Sequence, residues 1–545
     1  MKNYLTQIFN ELCDKLSYLR NVNITFTVPA NSNYGDYSTN IAMTLARILK
    51  KQPLEIAKEI ISNLEYDKSK IDKVEIAGAG FINFYFNKKF VPNIIIQVNS
   101  EGDNFGRTDK HKGKRANVEF ISANPTGPLT VGHGRNAVVG DTIANLLEWI
   151  GYYVDREYYF NNAGRQMRIL GDSVRLRYLS LIHKSNQNLE LPEDYYQGEY
   201  IKEIAHKIYD EHGDKYKDEP AEGIFKQVAE KEIFDNIKNT MSRLGIKMNV
   251  YYNENSLYET GRIEMLLNVF ESKSLSYKKD GATWLKLTQL GNEQDKVIVK
   301  STGEPTYRLP DIAYHITKFE RGYDLIVDLF GSDHNATYPD VLAGLKALGY
   351  DTQKVKVLIH QFVTIMDKGE VVKMSTRKAN YITLDELIDE VGKDVVRYFF
   401  NMRSIASHLN FDINLAKKQS EENPVFYLQY AHARICSIIR MAEEQNLESS
   451  VNNLDLLVKD EEQNLLKKMH EFPDEVIYSA EFFETHRIAN YLEQFAALFH
   501  KFYTECRVIG SERKLAEARL SLIKAAKIIL KNGLSILGVS APEQM

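Results

Sequence analysis

The chain has 545 residues, of which 43% are hydrophobic and 26% are charged, and its formal net charge is −5 at pH 7. This length exceeds what one hydrophobic core usually serves, so we expect three or more folding units. The slight negative charge excludes a strongly basic chain, and any surface for nucleic acid must therefore be a local patch.

No apolar run approaches the roughly 20 residues that span a membrane. The first residues also lack the layout of a signal peptide. The three cysteines, Cys13, Cys436 and Cys506, form no CxxC pair. We therefore expect a cytoplasmic protein without a disulfide framework or a structural zinc site, and we assign no metal-ligating residues.

Residues 1–112 are predicted to form a small α+β unit. Helical patterns cover Lys2–Leu16, Asn40–Lys50 and Pro53–Leu64, and Val74–Phe86 is strand-like but broken by Gly78 and Gly80. The polar segment 31–36 is predicted to be a loop. The basic segment 110–115 marks the end of this unit.

Residues 113–415 alternate between strand and helix patterns, which is typical of a doubly wound parallel sheet. The candidate strands are Val118–Ile121, Val154–Tyr158, Leu325–Leu329 and Val357–Ile359. Residues 165–250 are charged and mostly helical, so we interpret them as an insertion. The segments Thr283–Lys286 and Val297–Val299 are predicted to be short strands.

Residues 416–545 are predicted to be entirely helical. The expected helices are Val425–Glu444, Asp460–Glu471, Glu481–Thr504 and Arg513–Asn532. Such a unit after a sheet domain is typical of a separate recognition module.

The run Thr130-Val131-Gly132-His133 follows the turn-rich segment 124–128 and opens a predicted amphipathic helix that ends at Gly151. A helix N-terminus presents unpaired N–H groups and suits a phosphate. Gly132 permits a close approach to the backbone, and His133 offers a hydrogen-bond donor. This motif therefore predicts a nucleotide site.

A second motif is the run Lys373-Met374-Ser375-Thr376-Arg377. It follows a predicted hairpin of Val363–Met366, a turn at Lys368-Gly369, and Val371-Val372. This arrangement places Lys373 on a loop that could close over a triphosphate. Taken alone, each motif is more often a surface turn, but their order and spacing favour function.

These runs resemble the HIGH and KMSK motifs of class I aminoacyl-tRNA synthetases. Thr130 stands in place of the first histidine, and Thr376 replaces the second lysine. The resemblance implies a Rossmann-like catalytic domain, with ATP and Mg²⁺ as reactants. It assigns catalysis to Thr130, His133, Lys373 and Arg377, and ATP binding to Gly132, His133, Gly331, Asp333, His334, Lys373, Met374 and Ser375. Lys378 or Arg135 are further candidates for a phosphate contact.

Three further groups have ordinary structural explanations when taken singly. Asp311 fits the first turn of a helix, Glu254 fits a solvated carboxylate, and Asn124 before Pro125 fits a turn. Longer segments give these groups a common context, namely 34–37, 79–83, 119–128, 429–434 and 541–545. In these segments the chain is similar to arginyl-tRNA synthetases. Because the segments are spread from residue 34 to residue 545, the resemblance extends over nearly the whole chain.

The resemblance implies an arginine pocket in which Asn124 holds the α-amino group. Glu254 and Asp311 would face the guanidinium, and Tyr307 would add its hydroxyl. The chemistry agrees with these assignments, because a guanidinium is always charged and offers a planar fork of donors to carboxylates.

The implied reaction joins L-arginine to tRNA(Arg) through arginyl-adenylate, with release of pyrophosphate and AMP. The helical unit would bind the anticodon through Tyr427, Tyr430 and Arg434, and Lys524, Lys527 and Lys531 share a face of the last helix. Surface lysines are usually only solvated. We expect a monomer.

Two alternatives remain open. One is a non-catalytic relative that binds RNA or arginine, which the altered Thr130 and Thr376 permit. The other is a synthetase for a different amino acid. The sequence also leaves open whether arginine activation requires bound tRNA, and what residues 165–250 do.

Overall fold

A computed structural model describes residues 1–20, 22–29, 31–183, 191–372 and 382–545 of the chain. Within these ranges it has an N-terminal α+β part, a central part built on a parallel sheet and a C-terminal helical part. The predicted fold class is therefore confirmed. No helix in the described ranges combines the length and the hydropathy that crossing a membrane requires.

The N-terminal part packs helices on an antiparallel sheet with strand order β1-β3-β2. Its elements are α1 Lys2–Lys15, β1 Tyr37–Thr39, α2 Ile41–Leu49, α3 Pro53–Asn63, β2 Ile71–Ala77, β3 Phe81–Phe86 and α4 Ile94–Glu101. The strand-like segment proves to be a hairpin, because Gly78 and Gly80 reverse the chain with φ values of 54° and 129°. The strand β1 was not predicted.

The central part contains eleven strands of the described chain. They are β4 Arg115–Glu119, β5 Tyr153–Phe160, β6 Val250–Asn253, β7 Ser276–Lys279, β8 Ala282–Leu285, β9 Lys296–Val299, β10 Leu325–Gly331, β11 Val355–His360, β12 Val363–Asp367, β13 Glu370–Val371 and β14 Leu409–Asp412. Five of them form a wholly parallel sheet with the order β11-β10-β4-β5-β6. The chain leaves from β4 in both directions, so a topological switch point lies between β4 and β10, where ligands bind in such folds.

Helices surround this sheet and form the insertion. Their bounds are α5 Val131–Trp149, α6 Gly164–Ile182, α7 Glu199–His212, α8 Ile224–Arg243, α9 Asn255–Glu259, α10 Arg262–Ser272, α11 Arg308–Glu320, α12 Tyr338–Ala347, α13 Leu384–Val391, α14 Lys393–Asn401 and α15 Ile413–Lys417. The inserted segment is helical, as predicted, through α6, α7 and α8. It ends in β6, an unpredicted edge strand of the parallel sheet.

The first strand of this sheet ends earlier than predicted, at Glu119 instead of Ile121. Ile121 and Ser122 have φ values of 70° and 44°, a left-handed conformation that a strand cannot contain. The buried side chain of Asn136 holds this bend, because its Oδ1 accepts from the backbone N of Ile121 at 2.6 Å. The bend turns the chain out of the sheet toward α5.

The C-terminal part is a helical bundle of α16 Pro424–Glu444, α17 Asp460–Phe482, α18 His486–Glu505 and α19 Arg513–Leu537. The prediction that the second helix stops at Glu471 is wrong, since α17 continues through Pro473. Proline lacks only one helical N–H, and packing of Phe472 and Val476 keeps the helix continuous. The third helix starts at His486 rather than Glu481, because Phe483 ends α17 with φ 57°.

Arg397 joins the central and C-terminal parts. Its guanidinium is 1% exposed and donates to Asp141 of α5, to the carbonyl of Leu244 after α8, and to the carbonyl of Leu537 in α19. One buried cation therefore contacts the sheet domain, the end of the insertion and the bundle at the same time.

Candidate active site

The N-terminus of α5 lies at the carboxyl edge of the parallel sheet, at the switch point between β4 and β10. Asn136 makes this connection, because its amide also donates to the carbonyl of Leu329 near the end of β10 at 3.0 Å. The first motif is therefore fixed where a nucleotide-binding sheet presents its ligand.

His133 folds back onto Thr130 in the first turn of α5. The backbone N of Thr130 donates to Nδ1 of His133 at 3.1 Å, which assigns the ring proton to Nε2. Burial lowers the pKa of His133 to about 4, with a further contribution from His360. In the ligand-free protein at neutral pH, His133 is thus an uncharged donor.

Gly132 is exposed, and a side chain there would meet only Oγ1 of Thr130 at 3.8 Å. Gly134, two residues later, is different, because an added Cβ would lie 2.6 Å from Leu384 and 3.0 Å from Phe400. The space above Gly132 is open to a ligand, whereas Gly134 is required for helix packing.

Residues 373–381 lie outside the described part of the chain, and with them Lys373, Met374, Ser375, Thr376, Arg377 and Lys378. The predicted hairpin before them is confirmed, since Met366 pairs with Val371 around Lys368-Gly369. On the other side, Thr383 pairs with Thr130, and the N of Leu384 donates to the carbonyl of Leu129 at 2.8 Å. The chain at Thr383 and Leu384 is therefore joined to the segment that carries the first motif.

Gly331 is the last residue of β10, and Asp333 and His334 follow in a 3-10 turn, Ser332–Ala336. Their backbone is at the carboxyl edge of the sheet, as predicted. The side chains of Asp333 and His334 lie outside the described part.

Glu254 and Asp311 approach each other from different elements. Glu254 follows the edge strand β6 and is 7% exposed, and Asp311 is in the first turn of α11. Burial raises the pKa of both groups, that of Asp311 to about 7, and the negative charges of Glu119 and Glu254 raise the pKa of Asp311 further. Such a pair favours a cation in the space between them.

Asn124 belongs to the same site. Its Oδ1 accepts from the backbone N of Asn161 at 3.0 Å, and its amide donates to Gln166 at 2.9 Å. The side chain of Asn161 is within hydrogen-bonding reach of Glu254. The end of β5 thus connects Asn124 with the first carboxylate.

Tyr307 is not brought into contact with these carboxylates, since its side chain is 78% exposed. Instead, Tyr159 donates to Glu254 at 2.7 Å and Tyr258 does so at 3.4 Å. These two tyrosines were not predicted from the sequence. The only sign of their role in the sequence was their position in the chain, close to Asn161 and Glu254.

A cleft of about 460 Å³ lies beside Asn124, Thr130 and His133. Its outer wall comes from the insertion, including Gln166, Tyr196 and Tyr200, and the hydroxyl of Tyr200 donates to the carbonyl of Thr126 at 2.8 Å. The insertion therefore forms one side of the candidate active site.

Arg135 has no place in this site, contrary to the suggestion that it contacts a phosphate. It is fully buried and donates to the carbonyls of Gln361, Ser404 and Ser407 at 2.9 Å. Its role is to hold α5 against the segment before β14.

In the C-terminal bundle, Tyr427, Tyr430 and Arg434 lie together on α16. His500 lies against both tyrosine rings, and Arg434 donates to Tyr430 and to Tyr503, the latter at 3.1 Å. Lys527 and Lys531 are paired with Glu543 and Asp103, and Lys524 donates to Ser449. The aromatic and cationic face of α16 is therefore the better candidate for a base-stacking surface.

Comparison with known proteins agrees with this layout. Residues 2–86 match the family described as "Arginyl tRNA synthetase N terminal domain", residues 92–403 match "tRNA synthetases class I (R), catalytic domain", and residues 428–545 match "DALR anticodon binding domain". Proteins named arginine–tRNA ligase from Salinibacter ruber and Desulfotalea psychrophila are each 49% identical, over the whole chain and at least 99% of their own length. The solved arginyl-tRNA synthetase of Thermus thermophilus superposes with a TM-score of 0.80, at 20% identity and full coverage of both chains.

The fold and the site thus define a class I aminoacyl-tRNA synthetase. Within that class, the two full-length relatives at 49% identity are both named for arginine. The chain belongs to the arginyl-tRNA synthetase family.

Gly132 and Gly134 provide a matched pair of substitutions. Gly132→Ala should leave the melting temperature nearly unchanged but raise the KM for ATP by about tenfold or more, because the methyl group enters the space for the ligand. Gly134→Ala should instead lower stability by roughly 1–3 kcal/mol through overpacking. Thermal melts and ATP kinetics measure both effects, and equal destabilisation by the two would contradict the assignment.

Proposed function

We propose that the chain ligates L-arginine to tRNA(Arg) in two ATP-dependent steps. The observation that carries this proposal is the pair of carboxylates, Glu254 and Asp311, at the same sheet edge as the α5 N-terminus. A guanidinium is the cationic side chain that best matches two carboxylates, because its planar fork can donate to both.

In the first step, the arginine carboxylate attacks the α-phosphate of ATP in line, which forms arginyl-adenylate and releases pyrophosphate. No protein nucleophile is required, so positioning and charge stabilisation do the work. The N–H groups of α5 and Nε2 of His133 are proposed to donate to phosphate oxygens, with Gly132 giving access. Thr130 fixes His133, as its backbone bond to Nδ1 supports.

Positive charge is proposed to come from Lys373 and Arg377, with Met374 and Ser375 contacting the nucleotide. The bridge between Thr383 and Thr130 supports this, because it tethers the chain after residues 373–381 to the first motif. Gly331, Asp333 and His334 are proposed to border the nucleotide from β10.

For arginine, Asn124 is proposed to hold the α-amino group while Glu254 and Asp311 bind the guanidinium. Tyr307 would have to turn inward onto the bound substrate, since its ring is 78% exposed. Tyr159 and Tyr258 orient Glu254. Such a pocket should discriminate against citrulline by on the order of 10⁴-fold, because a neutral analogue leaves buried carboxylates unpaired.

In the second step, the terminal adenosine of the tRNA attacks the arginyl carbonyl. The anticodon is proposed to bind the bundle at Tyr427, Tyr430 and Arg434. Mg²⁺ is proposed to enter with ATP, held by phosphates and water, because no described cluster of three or more His, Cys, Asp or Glu is arranged as a metal site. We further propose that the protein is a monomer, which light scattering would test. We propose that it acts in the cytoplasm, which cell fractionation would test. The proposed domains are residues 1–112, 113–415 and 416–545.

Pyrophosphate exchange with ATP is the test of the activity. Arginine should support the exchange, whereas lysine, glutamine and citrulline should not. EDTA should abolish the exchange that arginine supports. Running each reaction with and without total tRNA decides whether activation requires tRNA. If no amino acid gives exchange or aminoacylation, although arginine or tRNA still binds, the non-catalytic alternative is correct.

Replacing Lys373 tests the second motif. Lys373→Ala should slow adenylate formation about 10²–10³-fold, as loss of one transition-state contact does, with little effect on arginine binding. Lys356→Ala, at an exposed lysine on β11, is the control and should leave the rate unchanged. A Lys373→Ala enzyme of normal rate would remove this residue from the mechanism.

Arginine binding should depend on pH through Asp311. Its pKa is about 7 in the unbound protein, and a guanidinium requires the charged carboxylate, so binding releases a proton. The Kd should rise toward about tenfold per pH unit below pH 7, measured by calorimetry. A raised carboxyl pKa disfavours folding as pH rises from 3.8, the ordinary value, to about 7, and the full penalty persists above that pH. Asp311→Asn should therefore raise the melting temperature at pH 8 while abolishing binding. A pH-independent Kd would contradict this role.

The α16 surface can be tested by binding alone. Arg434→Ala should weaken tRNA binding by about tenfold and reduce the salt dependence of log K by about one unit, because a phosphate or base contact is lost. Arg513→Ala, at an exposed arginine of α19, is the control. Equal loss in both variants would assign the effect to overall charge.

A further inference from the structure

His315 lies one turn after Asp311 on α11 and is 5% exposed. Its Nδ1 is 2.8 Å from the backbone carbonyl oxygen of Asp311, and its Nε2 is 2.9 Å from Oδ2 of Asp328. A carbonyl oxygen can only accept a hydrogen bond. A neutral imidazole would place a lone pair against one of these two oxygens.

Asp328 cannot supply the missing proton, because it is held as a carboxylate. Burial alone would raise the pKa of Asp328, but Lys318 and His315 lower it well below its usual range. The ammonium of Lys318 donates to Oδ1 of Asp328 at 2.6 Å. Both ring nitrogens of His315 must therefore carry protons, and burial, which lowers the pKa of His315, is outweighed by Asp328 and the carbonyl of Asp311.

The charges around His315 form a balanced chain. Glu119, Lys318, Asp328 and His315 alternate in sign, with Lys318 bonded to both carboxylates at 2.6 Å. Glu157, the next acid along the sheet, is paired with Arg321. Glu254 has no cation among the groups that shift its pKa, and for Asp311 the one such cation is His315.

Asp311 is only partly exposed to solvent. Asp311 and His315 border one small cavity of about 10 Å³, whose other lining residues include Phe330, Tyr338 and Val341. That volume holds at most about one water. Among the charged groups that act on the Asp311 carboxylate, His315 lowers its pKa, whereas Glu119, Glu254 and Asp328 raise it.

We propose that His315 is a permanent imidazolium that fixes the Asp311 turn of α11 and favours the charged form of the Asp311 carboxylate for the guanidinium of arginine. His315 is thus a positioning residue for amino-acid recognition and touches no substrate. This inference rests on the proposed arginine site for its functional consequence, but the charge of the ring stands independently.

The first test is nitrogen NMR of protein with ¹⁵N-labelled histidine and without substrate. The chain has 13 histidines, so comparison with His315→Gln identifies the signal. Both ring nitrogens of His315 should give protonated shifts from pH 6 to pH 9. A nitrogen with the shift of an unprotonated ring atom at pH 7 would overturn the proposal.

The second test is the pH profile of arginine binding in His315→Gln, where an uncharged amide can still donate to Asp328. The Kd should be about tenfold weaker than wild type at pH 7 and should recover near pH 9, because Asp311 now loses its proton at higher pH. His206→Gln, at an exposed histidine of α7, should match wild type.

A loss of affinity that is equal at every pH would indicate a purely structural role and overturn the proposal. If His315→Gln does not fold, the His315 signal can be identified in wild-type protein by its through-space contact with the neighbouring Tyr314 ring, and the measurement still decides the charge of the His315 ring. If wild-type protein binds no arginine at any pH while the ring is doubly protonated, the proposed function fails and the assigned charge of His315 survives.

Discussion

Lys318 is completely buried, and its ammonium is bonded to Glu119 at the end of β4 and to Asp328 within β10. A buried lysine is tolerable only with such partners, and removing either one would leave an uncompensated charge. This constraint fixes α11 across the two strands that border the switch point. Asp311 lies on the same helix, about two turns before Lys318, so its location depends on this constraint.

A second constraint links the nucleotide and amino-acid subsites. The bend at Ile121 and Ser122 forces a β-branched residue into a left-handed conformation, a strain of order 1–3 kcal/mol. Asn136 holds that bend from α5, three residues after His133, and Asn124 lies just beyond it. A shift of α5 would therefore move the proposed contacts of both substrates together.

Much of the architecture was predictable because local patterns were strong. Periodicity and turn residues predicted three features: the strands β5, β10 and β11 with helices between them, the hairpin before Lys373, and the helical character of roughly the last 120 residues. The strand β6 was missed since Val250–Asn253 is four residues long and follows a helical insertion. Its identity depends on pairing with β5, which is non-local.

The sequence by itself determined the family, through two spaced motifs and their flanking segments, and it determined which residues carry charge. Only the tertiary structure decided what those charges do. It turned His133 into a neutral donor, engaged Arg135 with carbonyls in the interior, and placed Glu254, directly after β6, near Asp311 on α11. The physical reason is that burial and long-range partners set protonation and orientation, and neither is encoded in the spacing of residues along the chain.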